Sequence, residues 1–372
     1  MAHLGKGLIA AALIAAAASA PAQADAVSDF YTGKRVNFII ASGAGGGYDS
    51  YGRMLARHWG NHIPGKPSII SRNMPGAAGL QMTNYMYNKG KADGSEVGIT
   101  YNTLVIEPLI GNPGAKFDSL KLSWIGSMGK QQNICVTWHT SPIKTLDQAR
   151  AKKDMVVSAT GATGNSATMP RIFNALLGTH FKVIQGYSTT GQRLALERGE
   201  VEGICGLSYS TLLASNPDWI LKKQLNILAQ VGLKKHPDMP DVPMALDMIT
   251  DPTKRSVLEM LLIPQEMGRP ILAPPGVPGD RLAALRASFD ATMKDPKFLS
   301  EATRAKLLIE PLTGAEMDEL LKKAASYPRE IVTEAAKMVG KPPKGVFVSC
   351  SKYTQLAKRC SSPKKKKKAA AQ

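Results

Sequence analysis

The stretch Val36-Asn-Phe-Ile-Ile-Ala-Ser-Gly-Ala-Gly-Gly-Gly-Tyr-Asp49, continued by Ser50-Tyr-Gly-Arg-Met-Leu-Ala56, decides how the chain is read. An apolar run of β type leads into small residues, and an Asp then opens a helical pattern. A strand, a glycine loop and a helix N-terminus in that order can hold an anion, because the first helical N–H groups are unpaired and the helix dipole favours negative charge there. The alternative is a tight βα turn in which glycine serves geometry alone. The dinucleotide fingerprint is not met: Gly43-x-Gly45 is in place, but Tyr48 stands where a third Gly or Ala belongs.

Outward from this stretch, strand and helix patterns alternate as in α/β folds. Strands are expected at 36–41, 68–72, 97–101 and 122–128, with helices at 49–58 and 79–89 between them. A passage into a second lobe is placed at 133–138, and the alternation then restarts. Strands follow at 154–159, 182–185 and 201–207, with helices at 145–152, 168–178 and 190–198. The strand at 225–231 is read as the start of a return crossing. Amphipathic segments at 280–294, 296–305 and 314–339 complete the body, with Asp280 and Thr313 as helix N-caps. The expected plan is a two-lobed α/β clamshell with its ligand cleft between the lobes. Residues 25–127 with about 229–340 form lobe 1, and 128–228 form lobe 2.

The ends carry different signals. Lys6, the apolar run from Leu8 to Ala18 and the small residues Ala22-Gln-Ala24 read as a cleavable signal peptide over 1–24, which places the mature chain in the periplasm. No later segment reaches the length of a transmembrane helix. The remaining chain of about 348 residues exceeds the size at which single cores stop growing, so two lobes are expected. Of the net charge of +18, ten positive charges and no acid lie in residues 341–372, which end in Lys364 to Lys368. This tail reads as a solvated, disordered extension. The body is mildly basic, which suits an anionic ligand.

Four cysteines in an exported chain imply disulfides, and Cys135, Cys205, Cys350 and Cys360 allow three pairings. Cys135–Cys205 and Cys350–Cys360 are favoured, because the first two sit on expected strands of one lobe and the last two lie close in the tail. No Cys-x-x-Cys spacing points to zinc or thiol redox chemistry.

Three further loops share the chemistry of the first. Asn73-Met-Pro-Gly-Ala-Ala-Gly79 follows the second strand, Tyr101-Asn-Thr103 follows the third, and the hydroxyl-rich 158–168 follows a strand of the second lobe. All lie at C-terminal strand ends, where open α/β sheets bind ligands. With these residues in view the chain resembles the tripartite tricarboxylate transporter solute-binding family, the Bug proteins, over roughly residues 28–340. Landmarks that fit in order are Ala44-Gly-Gly-Gly-Tyr-Asp49 with Arg53, the 73–79 loop, Lys91-Ala-Asp-Gly94, Gly161-Ala-Thr-Gly-Asn165 with Thr168, Asp241-Val-Pro243 and Leu272-Ala-Pro-Pro-Gly-Val-Pro278.

The resemblance implies a monomeric periplasmic binding protein that closes over a small carboxylate, a di- or tricarboxylate or an aromatic acid. It would deliver this ligand to the inner-membrane permease subunits of a tripartite carrier, or in some systems to a signalling receptor. It implies no cofactor, no metal and no nucleic-acid partner. Carried over, the ligand-binding positions are Gly46, Gly47, Tyr48, Asp49, Ala77 and Ala78 in lobe 1, together with Thr103. In lobe 2 they are Gly161, Thr163, Gly164, Asn165 and Thr168. Backbone amides hold the carboxylate in this scheme, with no cationic side chain required.

Departures from the family concern ligand choice. Tyr48 stands where Thr is usual, so the pocket is bulkier or stacks an aromatic ligand; Gly206-Leu207 replace an Asp-Asn pair, and Pro170 replaces a helix-start His. The Asp with which some members recognise amino acids is absent, which argues against an amino acid ligand. Asp49 is also read as capping the helix and ordering the loop, with Arg53 one turn on as a partner. His58 and His62 have the spacing of a metal pair, but no Glu lies between them as in His-Glu-x-x-His, and the pair is read as incidental. An enzyme is disfavoured, since Gly-x-Ser-x-Gly, a P-loop and a metal-ligand set are all missing.

Overall fold

The computed structural model describes residues 20–161, 164–339 and 347–349. Two mixed sheets of six strands carry the architecture. The first comprises β1 (Arg35–Ile40), β2 (Ser68–Asn73), β3 (Glu96–Ile99), β4 (Ser123–Ser127), β10 (Pro270–Ala273) and β11 (Leu312–Thr313), in spatial order β2-β1-β3-β10-β4-β11. The second comprises β5 (Asn133–Trp138), β6 (Met155–Ala159), β7 (Phe181–Gln185), β8 (Gly203–Ser208), β9 (Leu225–Val231) and β12 (Phe347–Ser349), in order β12-β7-β6-β8-β5-β9.

One plan is used twice. In the first sheet β1 runs parallel to β2 and β3, and β10 inserts antiparallel between β3 and β4. In the second sheet β6 runs parallel to β7 and β8, and β5 inserts antiparallel between β8 and β9. In the second sheet the inserted strand is the one by which the chain enters, and in the first it is the one by which the chain returns. The 225–231 segment is therefore the far strand of the second sheet rather than the start of a crossing. The return follows it, through a segment that includes the helix Pro252–Glu266.

Period-2 alternation explains how β1 is buried on both faces. Val36, Phe38 and Ile40 pack into one cluster with Tyr51, Met54 and Trp59 of the helix Gly47–Trp59. Ile39 and Ala41 point into the other cluster, with Leu80, Met82 and Met86 of the helix Leu80–Lys89. Gly52 permits the first packing, because a Cβ there would meet Phe38 and Ile40 at 3.1 Å. Trp59 is fully buried and donates its indole N–H to Ser288 Oγ at 2.9 Å. His58 and His62, the pair with metal spacing, instead contact Glu301 at 2.7 Å and Asp295 at 2.9 Å, fastening this helix to Pro296–Arg304. No group of three or more metal-ligating side chains occurs among the described residues.

Several boundaries differ from expectation for local reasons. Thr313 caps its helix in a capping box with Glu316, as its sequence position suggested, but the segment from 314 to 339 is two helices, Gly314–Ala325 and Arg329–Val339. Pro328 separates them, since proline disfavours helix in the residue before it. Asp280 is not a cap: its helix starts at Gly279 with Pro278 as N-cap, which leaves Asp280 in the first turn. In the tail read as a solvated extension, Phe347–Ser349 pairs in parallel with β7. Residues 1–19, which hold most of the expected signal peptide, lie outside the described residues, and the helix Ala20–Tyr31 spans its expected cleavage site. No helix of the described residues is long and apolar enough to cross a membrane.

Cys135 and Cys205 face each other across β5 and β8 and are bridged, with Cα atoms 3.9 Å apart. Cys350 and Cys360 lie outside the described residues. Opening the bridge by Cys135→Ala with Cys205→Ala is expected to lower the unfolding free energy by about 2–4 kcal/mol, chiefly by freeing the unfolded chain across the separation of 70 residues. Urea unfolding of oxidised wild type against the double variant checks this, and coincident midpoints would contradict it.

Candidate functional site

The loops that leave the C-terminal ends of parallel strands in both sheets meet at one cleft. Its inner part, a cavity of about 130 Å³, is walled from the first sheet by Gly46, Gly47, Tyr48, Asn102 and Thr103, and from the second by Gly164, Asn165, Gly206 and Ser208. An outer part of about 510 Å³ shares Ser42, Gly46, Gly47, Tyr101, Thr160 and Thr211 with it and is continued by Tyr187 and Arg193.

The glycine loop after β1 is held in shape from below. Asp49 is buried and accepts from the Gly45 N–H at 2.9 Å, Asn73 Nδ2 at 2.7 Å and Arg53 Nε at 2.9 Å. Asn73 also donates to the Ser42 carbonyl at 2.9 Å and accepts from Arg53 Nη2 at 2.7 Å. Burial pushes the Asp49 carboxyl up, but the Asn73 and Gly45 donors and the Arg53 charge outweigh it and hold the group below the usual carboxylate value. Asp49 is not the helix cap, which is Gly46; from the first turn its carboxylate orders the loop, and it does not line the cavity. The Asn that opens the 73–79 loop has its role here.

Two α-helix starts in the cleft lack side-chain caps. Gly46 caps Gly47–Trp59 and Gly164 caps Asn165–Leu177, and neither can supply an oxygen to the leading N–H groups. Neighbouring helix starts are closed: Ser188 accepts from the Gly191 N–H, and Ser208 accepts from the Thr211 N–H. The open amide ends are one from each half, and both line the inner cavity.

A buried polar network joins these two ends. The Tyr48 hydroxyl donates to Asn102 Oδ1 and accepts from the Asn102 N–H, both at 3.1 Å. Gln131 Oε1, 3.3 Å from the same hydroxyl, accepts from Arg269 Nη1 at 2.6 Å. Gln131 Nε2 donates to Asn133, Asn133 to Gln265, and Gln265 Nε2 to Asn165 Oδ1 at 3.3 Å. The two chain crossings are tied beside this path by the Gln131 N–H on the Gln265 carbonyl at 2.7 Å. Arg269 is 2% exposed, with its guanidinium 4.8 Å from the Tyr48 ring centre and 4.7 Å from that of Tyr51. Burial raises the Tyr48 hydroxyl above its usual value against the pull of the Arg269 charge, which keeps it protonated as a donor.

Of the residues expected at the site, Gly46, Gly47, Tyr48, Thr103, Gly164 and Asn165 line the inner cavity. Ala77 and Ala78 do not. They form a turn with φ of +46° and +52°, and Tyr101 fills the space toward the cleft, its ring so near Gly79 that a Cβ there would meet it at 2.7 Å. Gly161 is outside the wall and Thr163 lies outside the described residues. Thr168 is buried, and its hydroxyl contacts the Gly164 carbonyl at 3.3 Å. Tyr48 does not offer a free face: Tyr101 lies 4.5 Å from its ring centre, and Arg269 also packs against it. Stacking of an aromatic ligand on Tyr48 is therefore not what the geometry favours.

Arg269, Gln131, Asn102 and Thr211 were missed. Arg269 sits in Gly268-Arg-Pro270 just before an apolar strand, a position where arginine is ordinarily exposed. The sequence reading requires no cationic side chain at the site, and the structure places one, Arg269, in the cavity wall.

No protein-family model matches the chain, and no curated protein matches it. Solved structures do match in fold. The periplasmic binding protein BugD aligns with a TM-score of 0.64 and 18% identity over 83% of this chain and 99% of its own. An adipate-bound protein of R. palustris gives 0.63 and 15% over 82% and 97%. MatC of Rhodopseudomonas palustris, solved with malate, gives 0.62 and 16% over 80% and 99%. At these identities the likeness is one of fold, and it is the two-lobed periplasmic binding fold that the sequence resemblance implied.

Because the folded-state value of Asp49 is depressed, its contribution is complete above the unfolded value of about 3.9 and is lost as pH falls through the folded value. Asp49→Asn should therefore be destabilised against wild type at pH 7, with the gap closing as pH falls below 4. Urea midpoints at several pH values measure this; a gap that does not vary with pH would refute the role of the carboxylate.

Proposed function

We propose that this chain is a periplasmic solute-binding protein of the Bug type. It captures a small aliphatic di- or tricarboxylate in the cleft and hands it to the membrane subunits of a tripartite tricarboxylate-type carrier. In this reading the mature protein begins after Ala24, lobe 1 is built on the first sheet and lobe 2 on the second, and the protein performs no chemistry on its ligand.

The observation that carries the reading is the meeting of two uncapped helix N-termini, one from each half, at a single cavity. Amides at a helix start stabilise negative charge without reorganisation, and charge-assisted bonds to them are stronger than neutral ones. Two such ends facing one space suit a ligand that both halves grip, so that binding favours the closed arrangement. The fold likeness to proteins solved with malate and adipate supports a carboxylate for this chain as well. Tyr48, already packed by Tyr101 and Arg269, supports an aliphatic rather than an aromatic acid.

Thermal-shift screening of di- and tricarboxylates is expected to give a rise of several degrees at a hundredfold excess over Kd, where binding contributes about 2.7 kcal/mol. Gly47→Val should abolish that rise while the protein remains folded, because a Cβ at Gly47 already meets Thr211 Oγ1 at 3.1 Å. Absence of any shift with wild type, or a full shift with Gly47→Val, would contradict the assignment.

A further inference from the structure

Buried side-chain polar atoms without a hydrogen-bond partner are uncommon in folded proteins, and in this molecule they gather in one place. Among the described residues they are Ser42 Oγ, Thr103 Oγ1, Ser119 Oγ, Tyr187 Oη, Arg193 Nη1 and Arg269 Nε. All but Ser119 line the inner or the outer part of the cleft.

Two of these groups are guanidiniums, one from each half. Arg269 precedes β10 of the first sheet, and its remaining bonds go to neutral oxygens of Gln131, Gly268 and Thr211. Arg193 lies on the helix Thr189–Glu197 of the second half, is 9% exposed, and has no hydrogen bond or ion pair among the described residues. Burial lowers the basicity of its guanidinium, with no neighbouring acid opposing this. Elsewhere among the described residues the buried Arg171 has the Glu107 charge acting on it, and the half-buried Arg286 has Asp318 beside it. A buried charge is costly unless it is paired, so two without counter-charge along one cleft call for anions from outside. The inner site is also compact. A Cβ on Gly47 would lie 3.9 Å from Arg269 Nη2, so the open amides and this guanidinium address the same small volume.

We infer that Arg269 and Arg193 are the groups that read the ligand's charge. Arg269 anchors one anionic group together with the amides of the first helix turn, and Arg193 takes a second anionic group at the outer part of the cleft. The cleft thereby selects a ligand with anions at both ends over its half-neutralised analogue. This rests on the carboxylate-binding reading above and adds to it that side-chain cations, not amides alone, decide specificity.

The test is isothermal titration of the full chain with aliphatic dicarboxylates of four to eight carbons, each beside its monomethyl ester. Wild type is expected to prefer the best diacid over its ester by tenfold or more. Arg193→Gln should weaken the diacid by ten- to a hundredfold and leave the ester unchanged, so that the preference disappears. Arg193 makes no hydrogen bond or ion pair among the described residues, so this variant is expected to keep its fold, which a melting curve verifies. Arg269→Lys retains the charge without the planar fork and should weaken diacid and ester alike. If wild type binds none of these acids, the carboxylate reading fails and this inference falls with it. If wild type binds them and Arg193→Gln keeps the wild-type preference, this inference alone is overturned.

Discussion

Arg269 is a full positive charge held at 2% exposure by neutral partners, and much of the cleft is arranged around that constraint. Two tyrosine rings present their faces to it, a glutamine and a backbone carbonyl accept its N–H groups, and the crossing segments of the chain run beside it. Leaving an isolated cation in the interior would cost several kcal/mol. Rings and amides reduce this cost without supplying a negative charge. In the proposed reading, the ligand's anion supplies that charge.

The repeated sheet plan places that charge. The strand that enters the second sheet and the strand that returns to the first both insert antiparallel beside parallel strands, and the two crossings next to them are tied by the Gln131 N–H on the Gln265 carbonyl. The polar path from Tyr48 through Gln131, Asn133 and Gln265 to Asn165 follows those crossings and couples the two open helix ends. In the proposed reading, an anion at one end is linked to the other end through groups already hydrogen-bonded to each other. This is the property a closing clamp needs, because ligand and closure then stabilise one another.

The fold was largely legible from the chain. Alternating apolar runs around Phe38 and Val157, turn glycines after them and amphipathic stretches between them give the order of elements with ends displaced by a few residues. The helix Pro252–Glu266 and the strand β10 escaped notice, since prolines flank or interrupt both and blur their periodicity. Within the site, the glycine-led helix starts were readable because their chemistry is local. Arg269, Gln131 and Asn102 were not, because each matters through partners distant along the chain. Ala77 and Ala78 illustrate the converse: their loop has the right composition, but Tyr101 occupies the ground between it and the cleft. Tyr48, which broke a dinucleotide motif on paper, proves to be the ring against which the buried cation rests.

The most direct test of the account is a crystal structure of the full chain grown with a saturating aliphatic dicarboxylate such as adipate. The account predicts one carboxylate within about 3 Å of both the Gly47 N–H and an Arg269 nitrogen, with the two halves closed over it. A carboxylate bound away from Arg269, or a cleft that crystallises open and empty at saturating acid, would contradict it.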